Sequence, residues 1–420
     1  MPIDLQLSRI LRLLRILDFP QKSYKAIHVA GTNGKGSVCA YLSHILTQNQ
    51  ISNGRFTSPH LITRNDSIQI NNVPLDFQKF LGIEQHVLSK DKEFGVGCTE
   101  FEILTCIAME AFKMAKVKVA IFEVGLGGRF DSTNILEEED VLCCGITKIG
   151  MDHEGLLGST LKEIAYQKAG IMKKNVPTVI DGSNDIDVLA VAKQEAHDAG
   201  CQLLVASDHE DQRFGSLGSL KDYHSSLLGS YQSMNLSVAL TISTIIQKSF
   251  PISKENTQKG ISKTVWPGRL QYLSLHLEKG KTLPVLLDGA HNTQAAIELG
   301  KFLDAEYRVD REPLCFVIGV TNGKSIDQLF DGLIHENDTV ILTQFKDDID
   351  GMPWIKPCNP NELAQQARKL TRKVIVEADL EESLKVAYET NSREAEKVVV
   401  CGSLYLVADI LRINSSNQDT

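Results

Sequence analysis

Long apolar runs are scarce in this sequence, and their scarcity argues against an integral membrane protein. A membrane-spanning helix needs about 20 consecutive apolar residues, and even the apolar segment LSRILRLLRIL carries three arginines. An excess of positive charge is also missing, because 44 Lys and Arg residues face 53 Asp and Glu residues and give a formal net charge of −9. With this net charge the protein has no overall positive potential that would attract nucleic acid. We therefore expect neither a membrane nor a nucleic acid as partner, and any polyanion must be held locally.

Cysteine pairs with a recognisable spacing are absent as well. The nine cysteines are an odd number, and Cys143 and Cys144 are adjacent, which is a poor geometry for a disulfide framework. We expect reduced thiols in an intracellular compartment, and no structural zinc site, since no Cys or His residues have the paired short spacing that it needs. A secretory signal is missing too, which predicts a cytoplasmic protein. Arg9, Arg12 and Arg15 at helical spacing leave a mitochondrial presequence as the alternative to a first packed helix.

What the sequence does have is a repeated rhythm of a short apolar run, a glycine-bearing or polar loop and a longer segment of helical period. This rhythm is typical of parallel strands with crossover helices and predicts an α/β fold. In the first part of the chain the predicted strands are 25–29, 118–124, 141–148 and 176–180, and the predicted helices include 37–47, 100–115 and 161–172. In the second part the predicted strands are 284–287, 314–320, 339–343, 373–376 and 397–400.

A proline and a glycine interrupt the chain at 266–269, in the segment WPGR, after a helical stretch. The length of 420 residues favours two or three domains, so we place a boundary there. Residues 1–266 would form a first domain on a parallel sheet, and residues 267–420 a smaller α/β domain of Rossmann-like type. The polar segment 414–420 is expected to fray.

A phosphate-binding loop is predicted where the strand KAIHV runs into AGTNGKGS at 30–37 and a helical segment, VCAYLSHIL, follows. In this order the backbone N–H groups of the loop and the helix N-terminus converge on one anion. Lys35 supplies a charge for the terminal phosphates, and Ser37 supplies a hydroxyl. The strict pattern G-x-x-x-x-G-K-[ST] fails twice, because Val29 occupies the first glycine position and Gly36 separates Lys35 from Ser37. A glycine-rich turn is the alternative.

Three other segments resemble nucleotide motifs less well. A second TNGKS, at 321–325, has only three residues between Gly319 and Gly323, so we predict a loop of the second domain, with a second nucleotide site as the alternative. The run GLGGRFD at 125–131 lacks the spacing of a dinucleotide fingerprint. A GTPase is disfavoured because we find no Asn-Lys-x-Asp segment, and TKIG at 147–150 has glycine in place of the acid.

Acidic and histidine residues follow two of the predicted strands. Glu123 lies near the end of the strand VAIFEV, and Asp152 and His153 lie just beyond the strand VLCCGITKI. Ligands of open parallel sheets sit at the carboxyl ends of the strands, so these residues fall on the edge that carries the phosphate loop. A carboxylate inside an apolar strand is costly unless it is paired or metal-bound. The alternatives to a functional role are that backbone groups satisfy the carboxylate of Glu123 and that His153 is structural.

Seven motifs in order now make the chain recognisable: GTNGKGS, TSPH at 57–60, TEFEILT at 99–105, EVGLGGRFDSTN at 123–134, MDHEGLLGSTLKEIAYQKAGI, WPGR and DGAHN. Together they resemble the folylpolyglutamate synthase and dihydrofolate synthase family of Mur-type ligases, and the match covers nearly the whole chain. Within the family the resemblance is nearest to the monofunctional enzymes of fungi. It implies the Mur ligase architecture, with an ATPase domain of P-loop type followed by a smaller Rossmann-like domain.

The resemblance implies a role for each matching residue. Lys35 and the surrounding amides would hold the ATP phosphates, Ser58 and Glu123 would bind one Mg²⁺, and His153 and Lys168 would serve a second. The catalytic set would be Lys35, Glu123, His153 and Lys168. In this family a lysine at the position of Lys168 is typically carbamylated, which turns it into a carboxylate-like ligand. Without the resemblance, Lys168 reads as a solvated helix lysine.

The same resemblance assigns contacts to both substrates. Family members often have histidine where this chain has Tyr231, before Gln232, which leaves an adenine contact by Tyr231 unsupported. The first domain would carry the pterin contacts, and the second would add nucleotide and glutamate contacts. The implied ATP-binding residues are Gly31, Thr32, Asn33, Gly34, Lys35, Gly36, Ser37, Asn235, Arg269, Asp288 and His291. The implied pterin-side residues are Thr99, Phe101, Asp131 and Ser132.

The activity that the resemblance implies is an ATP-dependent amide ligation of dihydropteroate to L-glutamate through an acyl phosphate, by a monomer. Eukaryotic folylpolyglutamate synthases usually have longer chains, which favours the single-purpose dihydrofolate synthase. A folylpolyglutamate synthase or a bifunctional enzyme is the alternative within the family. A small-molecule kinase and a non-catalytic nucleotide switch are the alternatives outside it.

Overall fold

The computed structural model describes residues 6–324, 326–394 and 396–418, which divide into two compact units at the junction between Trp266 and Pro267. The first unit holds most of the chain before this junction, and the second unit holds the chain after it. Two short segments that the sequence analysis placed in the first domain, Leu61–Thr63 and Leu227–Ser230, lie in the second unit instead. The side chain of Leu61 packs against the hydrophobic core of the second unit, which explains its place there.

The first unit is a parallel α/β layer structure. Its strands are β1 (Lys25–Ala30), β2 (Asn53–Phe56), β3 (Ile68–Ile70), β4 (Val73–Pro74), β5 (Val119–Glu123), β6 (Val141–Ile146), β7 (Thr178–Asp181) and β8 (Leu203–Ala206). Its α-helices are α1 (Ser8–Ile16), α2 (Lys35–Gln48), α3 (Phe77–Glu93), α4 (Glu100–Met114), α5 (Glu154–Leu157), α6 (Leu161–Ala169), α7 (Ile186–Ala199), α8 (Gln232–Ile246) and α9 (Lys254–Ser262).

The eight strands form one sheet in the order β4-β3-β2-β5-β1-β6-β7-β8. The strands from β2 to β8 in this order are parallel, and β3 and β4 extend the sheet with antiparallel pairing. Strand β5 is buried along its whole length, and β1 is buried except at Lys25. Strands buried on both faces have continuous apolar sequences, and these are the strands that the sequence predicted. Strand β2 was missed because NGRF contains no apolar run.

The arginine-bearing segment near the start forms helix α1, whose Ile10, Leu13 and Leu14 are fully buried. Arg9 reaches from this helix to Glu102 of α4, with 3.1 Å between Nε and Oε2. The segment is therefore a packed helix of the fold, as one of the two interpretations predicted. Across the described ranges, no helix has both the length and the apolar character that a bilayer crossing demands.

The second unit has its own six-stranded sheet, in the order β13-β12-β11-β14-β10-β9. Its strands are β9 (Gln271–His276), β10 (Thr282–Leu287), β11 (Leu314–Ile318), β12 (Thr339–Leu342), β13 (Lys373–Val376) and β14 (Lys397–Cys401). Its α-helices are α10 (Thr293–Phe302), α11 (Ile326–Asp331), α12 (Pro360–Ala367), α13 (Leu380–Glu394) and α14 (Leu404–Gln418). Strand β9 pairs antiparallel with β10, whereas the other pairs are parallel. Of the second TNGKS segment, residues 321–324 form a loop after β11, and Ser325 lies outside the described residues.

The polar C-terminal segment does not fray as we expected. Helix α14 continues to Gln418, and only Asp419 and Thr420 of the predicted tail lie outside the described residues. The side-chain amide oxygen of Asn414 accepts a hydrogen bond from the backbone N–H of His276, at 2.9 Å. The amide nitrogen of Asn417 donates to the carbonyl of the same residue, also at 2.9 Å. These two polar side chains hold the helix against β9 through hydrogen bonds.

A buried ion pair fixes the entry to β12. Arg308 donates two parallel hydrogen bonds to Asp338, at 2.6 and 2.8 Å, and Asp338 also accepts the backbone N–H groups of Leu314 and His335. Asp338 is fully buried and Arg308 nearly so. Removing one partner of such a pair leaves an uncompensated charge in the protein interior.

We predict that Asp338→Ala lowers the free energy of unfolding by about 3–5 kcal/mol. The exposed Glu382, which pairs with Lys385 on the surface of α13, is the control, and Glu382→Ala should cost no more than about 1 kcal/mol. Urea unfolding followed by circular dichroism would compare the two variants. Equal midpoints would show that the buried pair does not stabilise this unit.

Candidate active site

Four neighbouring parallel strands of the first unit bring candidate residues to one edge of the sheet. Strands β2, β5, β1 and β6 lie side by side in this order. Ser58 follows β2, Glu123 ends β5, and the phosphate loop follows β1. His153 follows β6 after a short loop. Because parallel strands end at the same edge, these segments meet at the position where open α/β sheets bind ligands.

The phosphate loop is anchored to the segment that follows β6. The carbonyl of Lys148 accepts the backbone N–H groups of Thr32 and Asn33, at 2.8 and 3.1 Å. The hydroxyl of Thr32 accepts from the N–H of Gly150 and donates to the carbonyl of the same residue. Two loop amides are therefore committed to the protein. The anion-binding groups left are those at the start of α2, where Gly34 is the N-cap residue and no described side chain caps the helix.

Two glycines let neighbouring elements approach this loop closely. Gly34 has φ +90°, and a Cβ atom there would lie 2.3 Å from Oδ1 of Asn235. A Cβ atom at Gly36 would lie 2.2 Å from the indole of Trp266. Both distances are far below a van der Waals contact, so a side chain at either position would have to displace its neighbour. The glycine that breaks the strict phosphate-loop pattern is thus required by packing.

Lys35 and Glu123 form the charged centre of the edge. Their Nζ and Oε1 atoms are 3.7 Å apart, and Nζ also donates to the carbonyl of Thr32 at 3.2 Å. The side chain of Glu123 is only 6% exposed and that of Lys35 16%. A buried carboxylate needs a cation beside it, and Lys35 supplies one while its ammonium faces the loop.

Lys168 is buried beneath the loop, so it is not a solvated helix lysine. It lies in α6, and its Nζ donates to the carbonyl of Gly31 at 2.8 Å. Burial disfavours its charged form, and the nearby charge of Lys35 adds to this effect, although Asp152 and Asp131 oppose it. Together these influences lower the pKa of Lys168 to about 7. A large fraction of Lys168 is therefore a neutral amine at physiological pH.

His153 lies at the exposed rim of the edge, where it precedes α5 in the left-handed conformation, with φ 54°. Its side chain is about half exposed, and its Nε2 atom is 3.8 Å from Oδ2 of Asp152. Oδ1 of Asp152 accepts the backbone N–H of His153 at 2.9 Å. The imidazole can therefore reach a ligand at the mouth of the site.

A short polar chain links α8 to the start of α2, and one of its members was missed by the sequence analysis. Asn235 donates to Oε1 of Gln232 at 3.0 Å, and Nε2 of Gln232 donates to the hydroxyl of Ser37 at 3.3 Å. Gln232 is 2% exposed. The helical spacing could have identified it, because a glutamine three residues before Asn235 lies on the same helical face.

The residues expected on the pterin side come from the start of α4 and from the loop after β5, and most of their polar groups bond within the protein. Asp131 accepts the backbone N–H groups of Leu126 and Thr133, and burial raises its pKa. The hydroxyl of Ser132 lies 2.6 Å from that of Thr105. Thr99 caps α4. Phe101 stacks on Phe56 at 5.9 Å between ring centroids. Their contacts with a pterin stay predictions.

Three predicted nucleotide residues lie in the second unit, around the end of β10. Asp288 accepts the backbone N–H groups of Leu270 and Ala290, both at 2.8 Å. Burial raises the pKa of Asp288, and the charge of Arg269 opposes this shift. Nδ1 of His291 lies 2.8 Å from the carbonyl of Gly289. These three residues are thus neighbours at the carboxyl edge of the second sheet, whereas the other candidates are grouped in the first unit.

Comparisons with known proteins show which sequences and folds this chain resembles. A protein family described as "Dihydrofolate synthetase, C-terminal domain" matches residues 271–413. The chain is 41% identical to the dihydrofolate synthetase of Saccharomyces cerevisiae, over 99% of each chain. Among solved structures it is similar to Mycobacterium tuberculosis folylpolyglutamate synthase complexed with ADP and AMPPCP (26% identity, TM-score 0.84, 97% and 95% of the two chains covered). It is also similar to a bifunctional folylpolyglutamate synthase/dihydrofolate synthase from Yersinia pestis, complexed with AMPPNP and a Mn ion (26% identity, TM-score 0.81, 98% and 94% covered).

We predict that Gly34→Ala displaces the start of α2, because the new methyl group would overlap the amide of Asn235. The expected result is the loss of most of the thermal stabilisation that saturating ADP gives to the wild-type protein. Gly82→Ala is the control, since a Cβ atom there meets nothing within 4 Å in α3, and it should raise stability by up to about 1 kcal/mol. An ADP-induced shift in Gly34→Ala equal to that of Gly82→Ala would contradict the prediction.

Proposed function

This chain belongs to the dihydrofolate synthase and folylpolyglutamate synthase family, and from this premise we propose its full reaction. It is an ATP-dependent ligase that joins 7,8-dihydropteroate to L-glutamate and releases 7,8-dihydrofolate, ADP and phosphate. The observation that carries the proposal is the similarity to the yeast dihydrofolate synthetase, which extends over nearly the whole of both chains.

The order of chemical steps follows from the reactivity of the carboxylate. A carboxylate is a poor electrophile, so an amide forms only after one of its oxygens becomes a good leaving group. ATP transfers its γ-phosphoryl group to that oxygen, which gives an acyl phosphate and ADP. The neutral amine of glutamate then attacks the acyl carbon and gives up one proton, and phosphate leaves with the former carboxylate oxygen. Water would hydrolyse the same intermediate, so it must be excluded.

The start of α2 and Lys35 are the groups that we propose for the ATP phosphates. The helix N-terminus favours an anion through its unpaired N–H groups. The ammonium of Lys35, now 3.7 Å from Glu123, would move its main contact to the transferring phosphoryl group. A fixed charge-stabilising contact of this kind contributes a factor of about 10² to 10³ to the rate.

The residues at the strand ends fit a magnesium site. Glu123 and Ser58 offer a carboxylate and a hydroxyl oxygen, the donor class that Mg²⁺ prefers. Mg²⁺ in such enzymes is usually bound by one or two carboxylates together with substrate phosphates. The part of the chain that is described contains no group of three or more His, Cys, Asp and Glu side chains arranged to hold a metal. We propose that Ser58 and Glu123 hold one Mg²⁺, which when bound neutralises charge on the phosphoryl group.

Lys168 and His153 are the residues that we propose for a second Mg²⁺, with Lys168 carbamylated. The neutral amine attacks CO₂, a nitrogen–carbon bond forms, one proton is released, and the product is a carbamate with a negative charge. The lowered pKa of Lys168 supports this step, because an ammonium ion has no electron pair to attack with. The carbamate oxygens would then replace a carboxylate as ligands.

The intracellular location is also part of the proposal. All nine cysteines are free, which supports a reducing compartment. We propose the cytoplasm, with a mitochondrial location as the alternative to be tested by tagging and microscopy.

The carbamate should show a defined pH dependence. Because the pKa of Lys168 is about 7, its ammonium form dominates below pH 7 and its neutral form above, so we predict that the carbamylated fraction rises between pH 6 and pH 8. Carbon-13 NMR of protein incubated with ¹³C-bicarbonate would measure it. Lys173→Ala, which removes a half-buried lysine of lowered pKa, should keep the signal, whereas Lys168→Ala should lose it together with most activity. Partial recovery of Lys168→Ala by a short added carboxylic acid would support the ligand role, and an active enzyme without a Lys168-dependent signal at pH 8 would refute it.

Substrate choice is tested by one assay with mass analysis of the products. The enzyme receives ATP, Mg²⁺ and glutamate with either dihydropteroate or tetrahydrofolate, and we expect rapid amide formation only with dihydropteroate. A folate that already carries glutamate would place its reacting carboxylate several ångströms too far from the γ-phosphate, and a misplacement of about 1 Å costs up to 10²-fold. Extension of tetrahydrofolate to the diglutamate at a comparable rate would establish a bifunctional enzyme. A stable phosphoester in place of an amide would indicate a kinase.

A further inference from the structure

Strand β2 contains a buried arginine that the proposed reaction leaves without a role. Arg55 is 2% exposed. Its neighbour Asn53 points to α2, where it bonds to Ser43 and Thr47. The alternation of side chains along a strand places Arg55 on the same face of the sheet as Asn53. Nη2 of Arg55 donates to Oε1 of Gln69 on the neighbouring strand β3.

The other donors of this guanidinium have an aromatic ring as their neighbour. Nε and Nη1 of Arg55 are buried and have no hydrogen-bond partner among the described residues. The guanidinium carbon lies 5.2 Å from the ring centroid of Trp266, which is the geometry of a cation–π contact. Burial lowers the pKa of Arg55 to about 10, and the charge of Glu123 opposes this shift, so the guanidinium stays charged at neutral pH. A buried charge with unpaired donors costs free energy of folding. We therefore looked for a function that this arginine could serve.

Trp266 contacts the phosphate loop as well as Arg55. Its indole lies so close to Gly36 that a Cβ atom there would be 2.2 Å from Cζ2 and 2.7 Å from Cε2. Gly36 is in the first turn of α2, next to Lys35. A guanidinium, an indole and a glycine backbone thus follow one another from β2 to the turn that receives the phosphates. The chain of contacts also explains why glycine stands between Lys35 and Ser37.

We propose that Arg55 is a positioning residue for ATP, which acts through Trp266 to hold the first turn of α2 in its phosphate-binding conformation. The proposal rests on the proposed function, because it takes the ligand of this turn to be ATP. Lysine cannot replace arginine here, since an ammonium lacks the planar group that lies over an indole. A purely structural role for Arg55 would lower stability without a selective effect on ATP.

The kinetic test compares Arg55→Met, Arg55→Lys and Trp266→Leu with the wild-type enzyme. We expect each variant to raise the KM for ATP about tenfold, the size of a desolvated cation–π contact. The value of kcat should change less than about threefold and the KM for dihydropteroate should stay the same, because the effect lies in nucleotide binding. The double variant Arg55→Met/Trp266→Leu should be no worse than either single variant, since both remove the same path. Additive effects, or an unchanged KM for ATP, would overturn the proposal.

Arg308→Lys is the matched control, because Arg308 is also buried and holds a bonding network in the second unit. It should lower the melting temperature and leave the KM for ATP unchanged. If Arg55→Met changes only the melting temperature, as this control does, Arg55 is structural and the proposal fails. Trp266 is partly exposed, so Trp266→Leu keeps the test decisive even if the arginine variants do not fold.

A direct binding measurement uses the scarcity of tryptophan. The chain has two, and Trp354 is 60% exposed in the second unit, so Trp354→Phe leaves Trp266 as the only tryptophan. ATP titrated into this variant should change the emission of Trp266, and adding Arg55→Met should weaken the titration about tenfold. If the parent variant shows no ATP binding by fluorescence or by calorimetry, the proposed function itself fails. If ATP binds to both variants with equal affinity, only the role of Arg55 is refuted.

Discussion

The parallel pairing of β1 between β5 and β6 is the constraint on which the site depends. The register places Val29 of β1 beside Glu123 of β5 and Gly145 of β6, so the loops after these strands leave the sheet at the same level. The bonds from Thr32 and Asn33 to the carbonyl of Lys148 then fix two of these loops to each other. A shift of one residue in this register would turn Glu123 to the other face of the sheet and separate the charges of the site.

Several buried or nearly buried charges are concentrated at this edge of the sheet. Lys35, Lys168 and Arg55 are all buried or nearly so, and the carboxylates of Glu123, Asp131 and Asp152 lie near them. Burial lowers the pKa of Lys168 and of Arg55, and the neighbouring acidic groups oppose these shifts only in part. A polyphosphate would supply further negative charge beside these cations. Such a site gives up stability in the free protein for electrostatic preorganisation toward its ligand.

The sequence predicted the elements whose local residue pattern is typical of one structure. Continuous apolar runs such as VAIFE predicted buried strands, and GTNGKGS predicted the loop between β1 and α2. The family resemblance correctly identified the ligase family, whereas the roles of individual site residues stay predictions. Strand β2 was missed because NGRF resembles a turn, and its burial depends on partners distant in the chain. The contacts of Gln232 and Arg55 were missed for the same reason, since each side chain meets a residue about 200 positions away. The prediction that the polar end of α14 frays was wrong. Polar side chains can form hydrogen bonds with unpaired backbone groups as well as with water.

Strand β9 lies at the edge of the second sheet, where no other strand of the described residues pairs with one row of its backbone groups. Asn414 and Asn417 bond to the N–H and the carbonyl of His276, so two side-chain amides imitate the hydrogen-bonding pattern of an adjacent peptide. An open edge is a template for the strand of another molecule. Helix α14 therefore covers the end of this edge at His276, where its two asparagines occupy backbone groups that the strand of another molecule could otherwise pair with.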